Sequence, residues 1–232
     1  MGRLSDGAFV LREGWRTRAG AVGLVREPVA VARLSSDGAR LDTVGLFPGR
    51  ESFIRTEGGR GVMSRPPFAR DTHTALRGDE LVIGDPAAFE VELYAATGAL
   101  LAVFHVPGVE LGLTRGEVAR FIAEEVALAP PARRAARRAE LEAMDVPETR
   151  PAYGRLLVDS EGDVWVGEYV TGQGEPNSWT VFSPEGRLLG PVRVPDRFRA
   201  MEIEGDEVLG VWRDALDLEH VRSYGLVKPG HG

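Results

Sequence analysis

The chain has 232 residues, 43% of them apolar and 27% charged, so it can bury the core of one large or two ordinary domains and is not disordered by composition. It contains no cysteine, which excludes a disulfide framework, a thiol nucleophile and a cysteine zinc site. A formal net charge of −7 argues against a general nucleic-acid binder, and no apolar run is long enough to cross a bilayer.

No run of basic then apolar residues opens the chain, so no secretory signal is visible. Of the 28 basic residues only Lys228 is a lysine, and Gln173 and Asn177 are the only side-chain amides. Such a skew reads as coding bias, so the choice of arginine at any one site says little about anion recognition.

Four stretches repeat one grammar: an acidic or glycine turn, a short β-rich run, a loop, a second such run, then usually a glycine turn and an apolar run. In the first, the turn Ser5-Asp6-Gly7 is followed by runs at 8–12 and 28–34, the turn Ser35-Ser36-Asp37-Gly38, and a run at 39–48. Val29, Val31 and Arg33 alternate with Ala30, Ala32 and Leu34, the two-residue period of a strand. The second has runs at 72–76 and 80–84 about Arg77-Gly78-Asp79, and at 89–95 and 99–107 about Ala96-Thr97-Gly98. Glycine in these turns supplies the positive φ of a tight hairpin.

A helical segment interrupts the pattern. Thr114 followed by Glu117 is a capping-box spacing, and Val118, Phe121, Ile122 and Val126 recur at helical intervals. Pro130-Pro131 ends this helix and starts a second over 132–144, before Pro147 and Pro151 stop it. The resulting hairpin, 113–146, is expected to be an insertion that must pack its apolar stripe on the rest of the molecule.

The third stretch has runs at 154–159, 163–170, 178–182 and 187–195, and the fourth at 199–203, 207–213 and 219–227. Successive hairpins of this kind make four-stranded antiparallel meanders, and tandem meanders predict an all-β fold, a β-propeller whose blades bury their faces by stacking. The expectation is one domain over 1–232 with about four blades, opening at the second strand of one blade and closing at the third strand of another.

Pro151-Ala152-Tyr153 leads into Leu157-Val158-Asp159, Gly162 and Val164-Trp165-Val166, and then come Trp179-Thr180-Val181-Phe182 and Gly186. This series resembles bacterial six-bladed β-propellers of the NHL and TolB-like type. The segment from Val208 to Asp214, with Val221 and Tyr224, is similar to the last blade of that group. The resemblance covers nearly the whole chain, but its motifs report strands and turns, not chemistry. It implies a periplasmic or extracellular setting and six blades, so the chain is expected to lack an N-terminal part; a genuine four-bladed or open form is the alternative.

In a propeller the loops between second and third strands and the connections between blades emerge on one face, where ligands of such folds bind. Candidate ligand-binding residues there are Trp15, Arg16, Arg18, Asp85, Glu175, Asn177, Arg213 and Asp214. The bland alternative for each is a solvated loop side chain. His73, His105, His220 and His231 stand apart, with no metal-ligand spacing, and no nucleophile elbow or P-loop occurs. Asp159-Ser160-Glu161-Gly162-Asp163 lacks the full calcium-loop spacing and reads as a hairpin turn, and Gly58-Gly59-Arg60-Gly61 as a turn in a mobile connection. Arg133, Arg134, Arg137 and Arg138 form either an anionic docking surface or a solvated face neutralised by Glu140 and Glu142. Trp165, Trp179 and Trp212 are expected to pack between blades.

No catalytic residue, metal site or cofactor follows from these residues. The leading expectation is a non-catalytic binding or scaffold propeller that presents its loop face and helical insertion to a protein, peptide or glycan. The alternative is a metal-dependent hydrolase of the gluconolactonase-like kind, whose resemblance implies Glu, Asn and Asp ligands. Asp159, Glu202 and the sole asparagine, Asn177, are the nearest residues of those types.

Overall fold

A computed structural model describes residues 2–13, 21–172 and 174–227. The first sheet contains β1 (Gly2–Arg3), β2 (Phe9–Arg12), β3 (Gly23–Leu34), β4 (Leu41–Glu57) and β5 (Arg60–Ser64), hydrogen-bonded in that order. The second contains β6 (His73–Arg77), β7 (Glu80–Gly84), β8 (Glu90–Ala95) and β9 (Leu100–His105). The third contains β10 (Arg155–Val158), β11 (Val164–Gly167), β12 (Ser178–Phe182) and β13 (Leu188–Arg193), and the fourth β14 (Phe198–Glu204), β15 (Glu207–Arg213) and β16 (Glu219–Gly225). Every pairing is antiparallel between chain neighbours, so each sheet is a meander.

The sheets stack in sequence. Val10, Val31 and Phe47 of the first meet Leu81 and Ile83 of the second. The opposite face of the second sheet, with Val82, Val91, Leu93 and Phe104, meets Leu156, Val164, Val166 and Phe182 of the third. Trp165, Trp179 and Val181 of the third meet Phe198, Ala200, Ile203 and Val208 of the fourth. Leu81 to Gly84 and Val164 to Gly167 are therefore buried on both faces, whereas the outer strands β9 and β13 are mostly exposed. This is an all-β, propeller-like stack, and in its second and third sheets burial is greatest on the second strands, β7 and β11, and least on the last, β9 and β13.

Two glycines are fixed by close approach. A Cβ on Gly84 would collide with Tyr153 Oη, and Gly186, at φ 82°, lies against the Phe104 ring. Tyr153 is fully buried and its hydroxyl donates to the Glu90 carbonyl at 2.6 Å.

The first sheet departs from the repeat. The run expected at 28–34 begins at Gly23, and the run expected at 39–48 continues to Glu57 and turns back into β5. Gly58 and Gly59, with φ of 56° and 79°, make that a tight hairpin and not a loose connection. The two-residue β1 also supplies a first strand, so the sheet does not open at its second.

The insertion is two helices, α1 (Arg115–Leu128) and α2 (Arg134–Glu142), joined through a single turn of 3-10 helix, Pro131–Arg133. The Thr114 and Glu117 capping box is formed as the spacing predicts. Contrary to expectation, the pair has a small apolar cluster of its own, with Ile122 and Val126 of α1 against Leu141 of α2. Phe121 packs at the edge of this cluster and also meets Phe68 at 5.4 Å between ring centroids. No helix among the described residues is long and apolar enough to cross a membrane.

Candidate functional site

Because each sheet is an antiparallel meander, its connections alternate between two ends. The tight turns at 77–80, 159–163 and 204–207 share one end with those at 96–99 and 183–187. The loops 85–89, 168–177 and 214–218 share the other end with the connections 65–72, 106–154 and 194–197. This second end is the loop face, and the helical insertion rises from it.

Three groups of charge fix its framework. Asp71 accepts from Arg12 and, at 3.0 Å, from Arg50; burial pushes its carboxyl up, but the two guanidiniums more than offset this and hold it below the ordinary value. Glu51, buried, accepts from the Arg70 backbone and side chain at 2.7 Å each. Arg26 donates to both oxygens of Asp85 at 3.0 and 2.6 Å. These pairs clasp the 65–72 connection and the 85–89 loop to the first sheet.

At the centre of the face a cavity of about 190 Å³ is bounded by Arg65, Asp71, His73, Arg155, Tyr169 and Glu175. Burial drives the His73 imidazole down to about 4, against the opposing pull of Asp71, so it is neutral at pH 7. Burial also lowers Arg155, against Glu175 at 3.4 Å, and raises the Tyr169 hydroxyl. Tyr169 and Glu168 also line a cleft of about 540 Å³ beneath α1, with Phe68, Arg120, Phe121 and Glu124. Phe121, Glu124 and Thr171 carry that cleft on to a third space of about 460 Å³ between α1 and Arg137.

Phe68, whose ring lies between Phe121 and Tyr169, has φ 57°, an unfavourable conformation for a bulky side chain. Arg150 bonds Glu117 at 2.9 Å and the Glu110 carbonyl at 3.0 Å, securing the base of the insertion beside this groove.

The residues expected from the sequence separate into groups. Trp15, Arg16 and Arg18 lie outside the described residues, as does His231. Asp85 orders its own loop, accepting from Ala87 N as well as Arg26, and Asp214 does the same with Leu216 N, Leu218 N and His220. Asn177 donates to Asp196 at 2.6 Å. Glu175 and Arg213 do share a cavity, of about 380 Å³, with Arg197, Arg199 and Asp217. Tyr169, Arg155, His73 and Phe68 are not among those candidates; the sequence reads Tyr169 as part of the strand run 163–170, but the strand ends at Gly167 and leaves Tyr169 in the loop that follows.

The residues nearest to a metal-binding set do not assemble. Asp159 accepts from Glu161 N, Asp163 N and Trp165 Nε1 in a hairpin turn at the opposite end, and Glu202 is exposed on β14. Among the described residues no three His, Asp or Glu side chains converge on one point, so this donor set does not fit a divalent ion. His105 is an exposed strand residue at the end of β9. On the insertion, Arg137 pairs with Glu125 and Glu140, Arg138 with Glu142, and Arg134 donates to the Ala127 and Ala129 carbonyls, the solvated and locally neutralised face. Trp165 and Trp179 are buried between sheets, while Trp212 is partly covered by the Arg222 guanidinium at 3.6 Å.

No protein-family model and no curated protein matches the chain. Among solved structures it is similar to a gluconolactonase from Xanthomonas campestris, with 15% identity over 90% of this chain and a TM-score of 0.42. The chain spans about half, 51%, of that protein's length. It is also similar to a luciferin-regenerating enzyme, with 14% identity, 90% of this chain, 76% of that one and a TM-score of 0.32. A protein of unknown function from Bacteroides caccae shows 14% identity, 94% and 72% coverage and a TM-score of 0.35.

Proposed function

We propose that this chain is a binding propeller of the six-bladed, NHL and TolB-like type that takes up an extended peptide segment along its loop face. The observation that carries this is the continuity of the cleft. The spaces beneath α1 and at the centre of the face share Glu168, Tyr169 and Val170, so the insertion and the sheets line one groove. A row of aromatic rings, Phe121, Phe68 and Tyr169, lines it together with charges of both signs, Arg120, Glu124, Arg155 and Glu175. A polypeptide offers side chains of matching variety and a backbone rich in donors and acceptors, and aromatic anchors dominate such interfaces. The setting that goes with this reading is periplasmic or extracellular.

Panning a random twelve-residue peptide library on the purified chain tests it. An enriched consensus is expected, bound about tenfold or more weakly by Tyr169→Ala, which corresponds to about 1.4 kcal/mol, and unaffected by Arg187→Ala at the opposite end. No enrichment, or binding indifferent to Tyr169→Ala, would refute it.

The competing reading is a metal-dependent hydrolase acting at the same mouth. Asp71 is committed to two arginines there and Glu175 to Arg155 and Arg199, which leaves Glu168 as the wall acid without an ion pair among the described residues. Lactone hydrolysis that requires added calcium or zinc and disappears with a chelator would replace the binding reading.

A further inference from the structure

Beside the fourth sheet, the cavity of about 380 Å³ is lined by Glu175, Arg197, Arg199, Val211, Arg213 and Asp217. Arg213 is already neutralised by Glu219 at 2.9 Å. That leaves Arg197 and Arg199, with Arg155 behind Glu175, against the two carboxylates of Glu175 and Asp217, an excess of one positive charge.

The ion pairs here are long. Arg155 lies 3.4 Å from Glu175, Arg197 3.4 Å from Asp217, and Arg199 3.9 Å from Glu175. The pair that clasps the 85–89 loop closes to 2.6 Å. The Arg199 side chain is only 38% exposed, yet it makes no hydrogen bond to any other described residue. A guanidinium carries five N–H donors, so Arg199 keeps donors open to an incoming acceptor. Burial lowers the Arg155 pKa, and Arg199 adds to this by repulsion while Glu175 opposes it. Arg197 and Asp217, which face each other across the rim, both hold positive φ, 60° and 64°.

We propose that this cavity binds the carboxylate of a small organic acid. The planar fork of Arg199, reinforced by Arg197, matches two carboxylate oxygens, and one negative charge cancels the excess. A dianion such as phosphate would meet Glu175 and Asp217 with charge to spare. The cavity meets the peptide groove at Gly174 and Glu175, but its arginines Arg197, Arg199 and Arg213 do not line that groove.

The test is an NMR titration of the full chain with sodium acetate and sodium glycolate at constant ionic strength, with sodium phosphate and sodium chloride as comparison arms. The arginine Nε–Hε signals are expected to shift saturably with the carboxylates and not with chloride or phosphate. Apparent affinity is expected to weaken at least about tenfold in Arg199→Gln and in Arg197→Gln, and to stay unchanged in Arg187→Gln at the opposite end. Arg197 lies on a rim loop, so its variant keeps the test decisive should Arg199→Gln on β14 fail to fold. Absence of saturation by either carboxylate up to about 100 mM, an equal response to phosphate or chloride, or unchanged affinity in any folded cavity variant would overturn the proposal.

Discussion

Arg26 on β3 grips Asp85, 59 residues later, through both terminal guanidinium nitrogens, while its Nε donates to the Gly49 carbonyl at 2.8 Å. One side chain thus joins two strands of the first sheet to a loop of the second. With side chains 17% and 30% exposed, the pair is screened only in part. Asp85→Ala leaves the guanidinium short of acceptors, and a loss of about 1–3 kcal/mol is expected in urea unfolding. An unchanged midpoint would show that the clasp is incidental.

Gly84 and Tyr153 give a second expectation. Gly84→Ala drives a methyl group into the Tyr153 hydroxyl and ring and should cost about 1–3 kcal/mol by overpacking. Tyr153→Phe loses the bond to Glu90, a cost of about 1 kcal/mol. Because the phenylalanine also vacates the space that the methyl needs, the double variant should lose less than the two separate costs combined. Strict additivity in a double-mutant cycle would contradict the packing described.

His73 sets a pH dependence. Its folded-state pKa of about 4 lies below the ordinary histidine value of 6.5, chiefly through burial. The unfolded chain therefore takes up a proton that the folded one refuses, and stability falls as pH drops from about 6.5 to about 4, by on the order of 3 kcal/mol. Unfolding free energies measured across that range should be flatter in His73→Gln. A wild-type profile with no slope there would mean that His73 is not enclosed as seen.

Thr114 offers a local probe. Its hydroxyl accepts from Glu117 N at 3.2 Å, and Glu117 answers on Thr114 N at 2.8 Å. Thr114→Ala should destabilise the start of α1 by about 1 kcal/mol and speed amide exchange in its first turn, leaving β7 and β11 protected. Uniformly faster exchange through the sheets would instead tie the insertion to global stability.

The strands were legible because their determinants are local. Arg77-Gly78-Asp79 and Ser183-Pro184-Glu185-Gly186 carry the turn, and the two-residue alternation beside them carries the strand. The extension of β4 through Arg50 and Glu51 was not legible, since its charged residues find partners, Asp71 and Arg70, only from a connection that returns about 20 residues later. The same reason hid most of the loop-face cavity. Arg65, His73 and Tyr169 stand in three different segments, and only the stacking of sheets brings them to one cavity. Asp85 and Asp214 looked like ligand residues because a loop carboxylate that caps its own turn has the same one-dimensional appearance as one that awaits a partner.

The stacking of each sheet on its sequence neighbours has a consequence for how the molecule comes apart. Cohesion is passed along like couplings in a train, each interface being made by two adjacent units alone. Opening should then start at a terminal unit and travel inward. The junction built on Val82, Phe104, Tyr153 and Phe182 should be the last to part, so that under mild denaturant the two middle sheets persist as a pair after the outer ones have melted.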